Sequence, residues 1–301
     1  MENSSASLAC ALVRLTGEDA LDLLNRLSTN DLGTLAEGGC AETLLTTSQG
    51  KMIDWVRVLH LGSSLMLVTS PERGQRVASW LEDYTIMEDS SAAVVAESAP
   101  VTRWLGPQSQ AWADDAGVSS ERSAPWGDGV AVGAPKAFGG GVDFIAFGAG
   151  AGPVAEATAG AKTLARDEYE RFRVAAGIPS PDAEFEKEVN PLELRLEGHA
   201  ISFSKGCYIG QEVLSRMDSY NKVARRLIGF ESDSAFEPTP ETRIVKDGKA
   251  IGKITSLITG ETTIGLAIVN ESAAAPQSVV IQTGEASVEA QLVDRPFWSS
   301  P

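Results

Sequence analysis

Two periodicities of apolar residues alternate along the first ninety residues. Apolar runs about one strand long alternate with segments whose apolar residues recur every three to four positions, as on one face of a helix. Ser48-Gln49-Gly50-Lys51 predicts a hairpin turn. Ser70 and Pro71 are expected to cap and begin a helix. The pattern predicts strands at Leu8–Leu15, Ala41–Thr47, Met52–Leu59 and Leu65–Thr69, and helices at Gly17–Ser28 and from Ser70 to Tyr84. This order indicates an α+β fold.

The second half of the chain changes character near residue 225. Helices are predicted at Thr163–Gly177 and at Gly210–Asn221, the latter with Val213, Leu214 and Met217 facing inward, and a short strand is predicted at Ile201–Phe203. From Val223 onward, six short apolar runs recur with turns between them, including Asp247-Gly248, and they predict a small antiparallel barrel. We therefore expect an α+β region over residues 1–224, with two interleaved lobes, and a β-barrel domain over 225–301.

Composition narrows the class of protein. The 301 residues are 43% hydrophobic and 22% charged, typical of a soluble globular chain. The net charge of −16 disfavours a general nucleic-acid binder, which needs a basic surface. No apolar run approaches the length of a membrane span, and the first residues do not resemble a signal peptide. We expect a cytoplasmic protein that binds neither membrane nor nucleic acid.

Cysteine and histidine are too sparse for several kinds of site. Cys10, Cys40 and Cys207 are widely spaced and form no CxxC pair, so neither a disulfide framework nor a metal pair is indicated. With His60 and His199 as the two histidines, the sequence predicts no metal site built from His and Cys. Neither histidine accompanies a GxSxG elbow of the kind that a serine hydrolase uses.

The distinctive segment is Phe203-Ser204-Lys205-Gly206-Cys207-Tyr208-Ile209-Gly210-Gln211-Glu212. Lys205 precedes Cys207 by two residues and a predicted helix begins just after it. Both features favour the thiolate, which is the reactive form of cysteine. The alternative is a buried cysteine that packs as a small hydrophobic residue. The residues alone leave both interpretations open.

Lys-Gly-Cys-Tyr-x-Gly-Gln-Glu resembles the signature of the YgfZ-type folate-dependent iron–sulfur maintenance proteins. The match comprises Lys205, Gly206, Cys207, Tyr208, Gly210, Gln211 and Glu212. Looser agreement is found in Gly17-x-Asp19-Ala20, Gly50-Lys51, Trp104-Leu105-Gly106-Pro107, Gly177-Ile178-Pro179 and the terminal barrel. The resemblance covers most of the chain and is weakest between Ala111 and Lys162.

That family is similar to the T-protein, the aminomethyltransferase of glycine cleavage. The resemblance implies a three-lobed cloverleaf around a central channel that holds tetrahydrofolate or a one-carbon derivative. It also implies assembly or repair of [4Fe–4S] enzymes, with iron–sulfur client enzymes or assembly proteins as partners. Cys207 is then the functional thiol, and Lys205, Tyr208 and Gln211 belong to the folate site.

Two further groups suit folate by residue type. Glu193 matches the Pro-x-Glu position that holds the pterin in T-proteins. A carboxylate suits this position because, when buried, it accepts hydrogen bonds from pterin N–H groups. Arg225 and Arg226 close a segment, Lys205–Arg226, that has a net charge of +3, which suits the anionic glutamate tail. The alternatives are a solvated glutamate and arginines that form salt bridges with the acidic surface.

Asp54 matches the first residue of the Asp-Asp pair on the equivalent strand of T-proteins, but Trp55 occupies the second position. Asp54 is therefore either a catalytic carboxylate or a hydrogen-bonded residue of the strand. Three functions follow as hypotheses: a folate-binding maintenance factor that uses Cys207, an aminomethyl or methyl transferase that uses Asp54, and a scaffold that docks client proteins through its acidic surface. Whether the chain is an enzyme depends on which of these three hypotheses is correct.

Overall fold

The computed structural model describes residues 2–135, 138, 140–148, 153–185 and 189–296. The Cα atoms group into two compact units. The first unit contains residues 1–165 and 199–211, and the second contains residues 166–198 and 212–301. The expected boundary near residue 225 falls at the start of the first barrel strand, whereas residues 166–198 and 212–224 group with the barrel.

In its described residues, the first unit combines nine strands with four helices. Its strands are β1 (Ser4–Thr16), β2 (Cys40–Thr46), β3 (Met52–His60), β4 (Ser64–Thr69), β5 (Ser91–Leu105), β6 (Ser123–Trp126), β7 (Gly129–Gly133), β8 (Val142–Ala146) and β9 (Lys162–Thr163). Its helices are α1 (Ala20–Leu27), α2 (Gly74–Asp83), α3 (Pro107–Ala116) and α4 (Val154–Ala157). The predicted hairpin is confirmed, since β2 and β3 pair antiparallel around the turn at Gly50.

The nine strands form one curled sheet. Their order is β2-β3-β4-β1-β5-β8-β7-β6, with β9 added parallel to β1. The edge at β2 meets the chain that leads into β6, where the amide of Cys40 donates to the carbonyl oxygen of Glu121 at 2.9 Å. Inside the curl, Arg57 of β3 pairs with Glu42 at 3.0 Å and with Asp143 of β8 at 3.3 Å. This buried ion network ties strands from both halves of the sheet.

Helices α1 and α2 pack on one face of this sheet. Leu23, Leu24 and Leu27 of α1 recur at helical spacing and are buried, together with Val77 and Leu81 of α2. Each fully buried leucine contributes roughly 1.5–3 kcal/mol to folding. This packing fixes the end of α1, on which the segment containing Cys207 rests.

The expectation that Ser70 caps α2 was wrong. The helix begins at Gly74, and the carboxylate of Glu97 accepts hydrogen bonds from the amides of Gly74 and Gln75 at 2.9 and 2.7 Å. The first amides of α2 are thus satisfied by a carboxylate on β5, and the sequence around the helix start does not reveal this partner. Ser70 instead binds Asp54.

The described residues of the second unit join two helices to a closed barrel. The helices are α5 (Arg166–Ala176) and α6 (Gln211–Ser219), of which Gln211 groups with the first unit. The barrel strands are β10 (Arg225–Ser232), β11 (Arg243–Lys246), β12 (Lys249–Ile258), β13 (Thr263–Asn270), β14 (Gln277–Thr283) and β15 (Ala286–Val293), with a 3₁₀ turn at Glu271–Ala273. The strand order is β10-β13-β12-β11-β14-β15, with antiparallel pairing throughout.

The α+β class and the terminal barrel are confirmed. All six predicted barrel runs are strands, and Asp247-Gly248 forms the turn between β11 and β12 with positive φ at both residues. One smaller prediction was wrong, since residues 201–203 form no strand. In α6, Leu214 is buried and Val213 and Met217 are half-buried. Among the described residues, no helix has the length and apolar character needed to cross a membrane.

Candidate functional site

The segment His199–Gln211 carries the motif and is held on the first unit by hydrogen bonds at both ends. At its start, the hydroxyl of Thr29 donates to the carbonyl oxygen of Ala200 at 2.6 Å. The amide of Ser202 donates to the carbonyl oxygen of Thr29 at 2.9 Å. Thr29 is fully buried just beyond the end of α1, so these bonds form in a water-excluded place. The segment is thereby fixed although it forms no regular element.

At its other end, the segment meets the β2–β3 hairpin. The hydroxyl of Thr46 donates to the carbonyl oxygen of Ile209 at 2.9 Å. Gly210 follows with φ of +84°, which favours glycine. A Cβ at Gly210 would lie 2.7 Å from both Thr46 Oγ1 and the carbonyl oxygen of Thr47. The second glycine of the motif is therefore required by close approach to the hairpin.

Lys205 lies across the end of α1. Its ammonium group donates to the carbonyl oxygens of Asn25 at 2.6 Å, Ser28 at 3.0 Å and Asn30 at 2.5 Å, and to Asn25 Oδ1 at 2.8 Å. Burial lowers the pKa of Lys205 to about 8, and the negative charge of Asp31 opposes this shift. The sequence suggested that Lys205 favours the thiolate of Cys207, but its hydrogen bonds are made to α1 and the loop that follows.

Tyr208 is the buried member of the motif. The ammonium nitrogen of Lys205 lies 5.5 Å from the centroid of its ring, within range of a cation–π interaction. Burial raises the pKa of Tyr208 to about 12, so the phenol is neutral at physiological pH. Its hydroxyl is buried and has no hydrogen-bond partner among the described residues. Lys205 and Tyr208 thus face the interior together.

Cys207 lies between these two side chains in sequence and is exposed. Cys10 and Cys40 are both buried. Burial, aided by the charge of Asp143, raises the pKa of the Cys10 thiol to about 12, and burial raises that of Cys40 to about 11. Reactivity requires the thiolate and access to it. Of the three cysteines, Cys207 alone is accessible.

Gln211 is the first residue of α6 and is half-buried. Its amide donates to the carbonyl oxygen of Tyr208 at 3.2 Å. The motif therefore runs directly into the helix, and its last residue, Glu212, pairs with Arg216 one turn later at 2.9 Å.

Asp54 lies on β3 and is fully buried. Its Oδ2 accepts the amide of Ser70 at 2.9 Å and its Oδ1 accepts the hydroxyl of Ser70 at 2.5 Å. Burial raises the pKa of Asp54, and the hydrogen bonds from Ser70 oppose the shift. Both carboxylate oxygens are engaged by the loop that follows β4, so the hydrogen-bonded interpretation of Asp54 accounts for its position.

In the second unit, the structure pairs two of the predicted folate residues with each other. Glu193 is buried, and its carboxylate binds Arg225 through Nε at 2.8 Å and Nη2 at 3.1 Å. The amide of Asn190 donates to the same carboxylate at 3.1 Å. Asn190 Oδ1 in turn accepts the amides of Leu192 and Glu193, which forms a tight turn around the glutamate. A forked guanidinium–carboxylate pair of this kind is strongly oriented.

Arg226 forms ion pairs with two other carboxylates, those of Glu197 and Glu271. It lies 2.8 Å from Glu197 and 2.7 Å from Glu271. The two acidic neighbours offset its charge, as the salt-bridge alternative expected. Of the two arginines, Arg225 has the more exposed side chain, at 38% against 21%.

Several residues that the sequence did not assign to the site hold the predicted ones. They are Asn25, Thr29, Thr46, Ser70 and Asn190. Each contributes a hydroxyl, amide or carbonyl group and either lies far in sequence from the residue that it holds or belongs to a loop. No local sequence pattern therefore distinguishes it. In the described residues, no cluster of three or more histidine, cysteine or acidic side chains is arranged to hold a metal ion.

Two family descriptions match the chain. The "GCVT N-terminal domain" matches residues 9–126, and the "glycine cleavage T-protein C-terminal barrel domain" matches residues 225–299. The second match begins at β10, the first strand of the barrel.

Individual proteins show the same relationship. A chloroplastic protein of Arabidopsis thaliana that is named as a transferase is 27% identical over 84% of this chain, which spans 61% of that relative's length. An aminomethyltransferase of Bacillus licheniformis is 24% identical over 95% of this chain and 84% of its own. The crystal structure of the glycine cleavage system aminomethyltransferase T from Bartonella henselae superposes with a TM-score of 0.78, covering 98% of this chain and 86% of its own at 16% identity.

Proposed function

We propose that this chain, which carries the GCVT N-terminal domain and the T-protein C-terminal barrel domain, is a cytoplasmic tetrahydrofolate-binding protein that supports the assembly or repair of [4Fe–4S] enzymes. The observation that carries the proposal is the exposure of Cys207 on a segment that the first unit holds in place. A thiol presented in this way suits exchange with a partner protein, whereas the two buried thiols do not.

Folate binding is supported by Glu193 and Arg225. A carboxylate has about four acceptor positions, and Arg225 and Asn190 account for three of them in the described structure. We assign the free acceptor capacity of Glu193 to the N–H groups of the pterin. Arg225 is in direct contact with Glu193, so we propose that it orients the carboxylate that binds the pterin. The contacts of Arg225 and Arg226 with the anionic tail stay predictions, since the tail lies at the far end of folate from the pterin. Gln211, half-buried at the start of α6, is kept as a further folate contact.

The alternative, an aminomethyl or methyl transferase that uses folate, is favoured by the aminomethyltransferase relatives that match 95% of the chain. Against it stand the single acidic residue on β3 and the engagement of both Asp54 oxygens by Ser70. A general acid or base must reach the proton that it transfers. Asp54 is better explained as a residue that fixes the loop after β4.

The proposal is tested by two assays on the same preparation. In the first, a purified [4Fe–4S] dehydratase damaged by peroxide is incubated with iron, a thiol reductant, tetrahydrofolate and this protein. We expect faster recovery of activity with the wild type than with Cys207→Ser. In the second, the protein replaces the T-protein in a reconstituted glycine-cleavage reaction, where we expect no turnover. Turnover that persists in Cys207→Ser and is lost in Asp54→Asn would establish the transferase instead.

A further inference from the structure

We propose that Lys205 is a positioning residue, which holds the Cys207 thiol outward by placing its ammonium group among four oxygen atoms at the end of α1. This inference rests on the proposed use of Cys207. It assigns to Lys205 a role different from direct activation of the thiol. The oxygens belong to three residues of one short stretch, Asn25, Ser28 and Asn30.

The end of a helix is a favourable place for such a cation. The last carbonyl groups of a helix have no partner within it, and the helix dipole places partial negative charge there. Lys205 lies 180 residues beyond Asn25 in the chain, yet its Nζ reaches four acceptors between 2.5 and 3.0 Å away. An ammonium group has three N–H donors, so this set of oxygens uses all of its donor capacity.

The direction of the neighbouring side chains follows from this anchor. Lys205 and Tyr208 face the interior, with Nζ 5.5 Å from the centre of the ring. Gly206 and Cys207 are exposed, and a Cβ added to Gly206 would meet nothing within 4 Å. The two residues whose side chains face inward, Lys205 and Tyr208, therefore flank the two exposed residues, Gly206 and Cys207. The hydrogen bonds of Lys205 fix the start of this four-residue turn. Its amide is also held, by Ser202 Oγ at 3.2 Å.

Chemical restoration of the ammonium group tests this role. In a Cys207→Ser background, Lys205→Cys is treated with 2-bromoethylamine, which rebuilds a side chain of nearly the same length with a terminal ammonium. Methyl methanethiosulfonate gives a neutral side chain that is one heavy atom shorter. We measure hydrogen exchange of the amides of residues 202–209, with thermal melting to verify that each protein is folded.

We expect the untreated cysteine variant and the neutral adduct to exchange roughly tenfold faster or more, as for loss of a charge-assisted hydrogen bond. The aminoethylated protein should return to within about threefold of the Lys205 parent. Unchanged exchange in Lys205→Cys, or faster exchange that the ammonium does not restore, would overturn the proposal.

A second measurement separates positioning from activation. With Cys207 intact, we follow its alkylation by iodoacetamide against pH in the wild type, Lys205→Met and the exposed-lysine control Lys222→Met. Positioning predicts faster exchange in Lys205→Met with the midpoint of the pH profile unmoved. A midpoint raised by about one pH unit, with exchange unchanged, would mean that Lys205 activates the thiol directly. Neither readout requires folate, so failure of folate binding would leave this result standing.

Discussion

The guanidinium group of Arg225 holds both carboxylate oxygens of Glu193, at 2.8 and 3.1 Å. The pair joins the turn at Asn190 to the first residue of the barrel. Glu193 is also tied to β10 through its carbonyl oxygen, which accepts the amide of Leu227 at 2.8 Å. A carboxylate fixed in this way has about one acceptor position left and holds it in a fixed orientation, which is the property that recognition of a flat heterocycle needs.

The first prediction concerns this pair. Glu193→Ala should weaken tetrahydrofolate binding by about 1–3 kcal/mol, because it removes a charged acceptor for the pterin donors. Arg225→Ala should weaken it as well, since the glutamate loses its orientation. Calorimetric titration under anaerobic conditions measures both changes.

Glu197→Gln is the matched control for these variants. Glu197 is a neighbouring glutamate paired with the neighbouring arginine, Arg226, and it is not assigned to folate. Its affinity should equal that of the wild type. Equal loss of affinity in Glu197→Gln and Glu193→Ala would remove the special role of Glu193.

The second prediction distinguishes the two roles of Asp54. In Asp54→Asn, the amide oxygen accepts the Ser70 amide and the amide nitrogen donates to the Ser70 hydroxyl, so both contacts persist in a neutral form. Asp54→Ala leaves two buried polar groups unpaired and should cost about 1–3 kcal/mol of unfolding free energy or more. In urea unfolding, the free energy of unfolding of Asp54→Asn should therefore be well above that of Asp54→Ala. The recovery of the damaged dehydratase should be unaffected by Asp54→Asn.

The third prediction concerns the three thiols. At pH 8, an excess of a disulfide reagent should label one cysteine rapidly in the folded protein, and peptide mapping should identify it as Cys207. Cys10 and Cys40 should react only as fast as the protein opens, because they are buried and burial raises their pKa to about 12 and 11. Two rapidly labelled sites would show that the exposure of Cys207 is not distinctive.

The fourth prediction is a pH dependence. The pKa of Cys10 is higher in the folded protein than in the unfolded chain, where it is near 9. Between pH 9 and 12 the folded state therefore binds more protons, so the unfolding free energy falls as pH rises through this window. In Cys10→Ala, the side chain at position 10 does not titrate in this pH window. The unfolding free energy of this variant is expected to be lower than that of the wild type at pH 7 but to fall less steeply above pH 9.

The fifth prediction uses the two motif glycines as a matched pair. Gly210→Ala forces a side chain into the positive-φ region and within 2.7 Å of the hairpin, and should cost about 2 kcal/mol or more. Gly206→Ala has open space around it and should change stability by less than about 0.5 kcal/mol. Thermal unfolding of the two variants, measured side by side, checks the difference. Equal destabilisation would contradict the described packing of the motif on the hairpin.

Much of the fold could be predicted because the signals are local. The barrel strands alternate with turn residues such as Asp247-Gly248, and α1 carries its buried leucines at helical spacing. The start of α2 could not be predicted, because its first amides are satisfied by Glu97 from β5. Ile201–Phe203 has the composition of a strand but bonds to the end of α1 instead of to a sheet.

The sequence could single out candidate residues for the site but not the partners that hold them. The motif and Glu193 were found from sequence because residue types and spacing carry the resemblance. The anchoring of Lys205 at Asn25, and the pairing of Glu193 with Arg225, join residues far apart in the chain. Such pairings depend on how the whole chain folds, which no short segment encodes.

The central claim is that a protein with an exposed, positioned thiol also binds folate, and one titration tests it most directly. Wild type and Cys207→Ala are titrated with tetrahydrofolate in an anaerobic calorimeter. We predict that both bind with the same affinity, because Cys207 acts in a step other than folate binding. Absence of binding by both proteins would contradict the account and favour a scaffold that docks clients through its acidic surface.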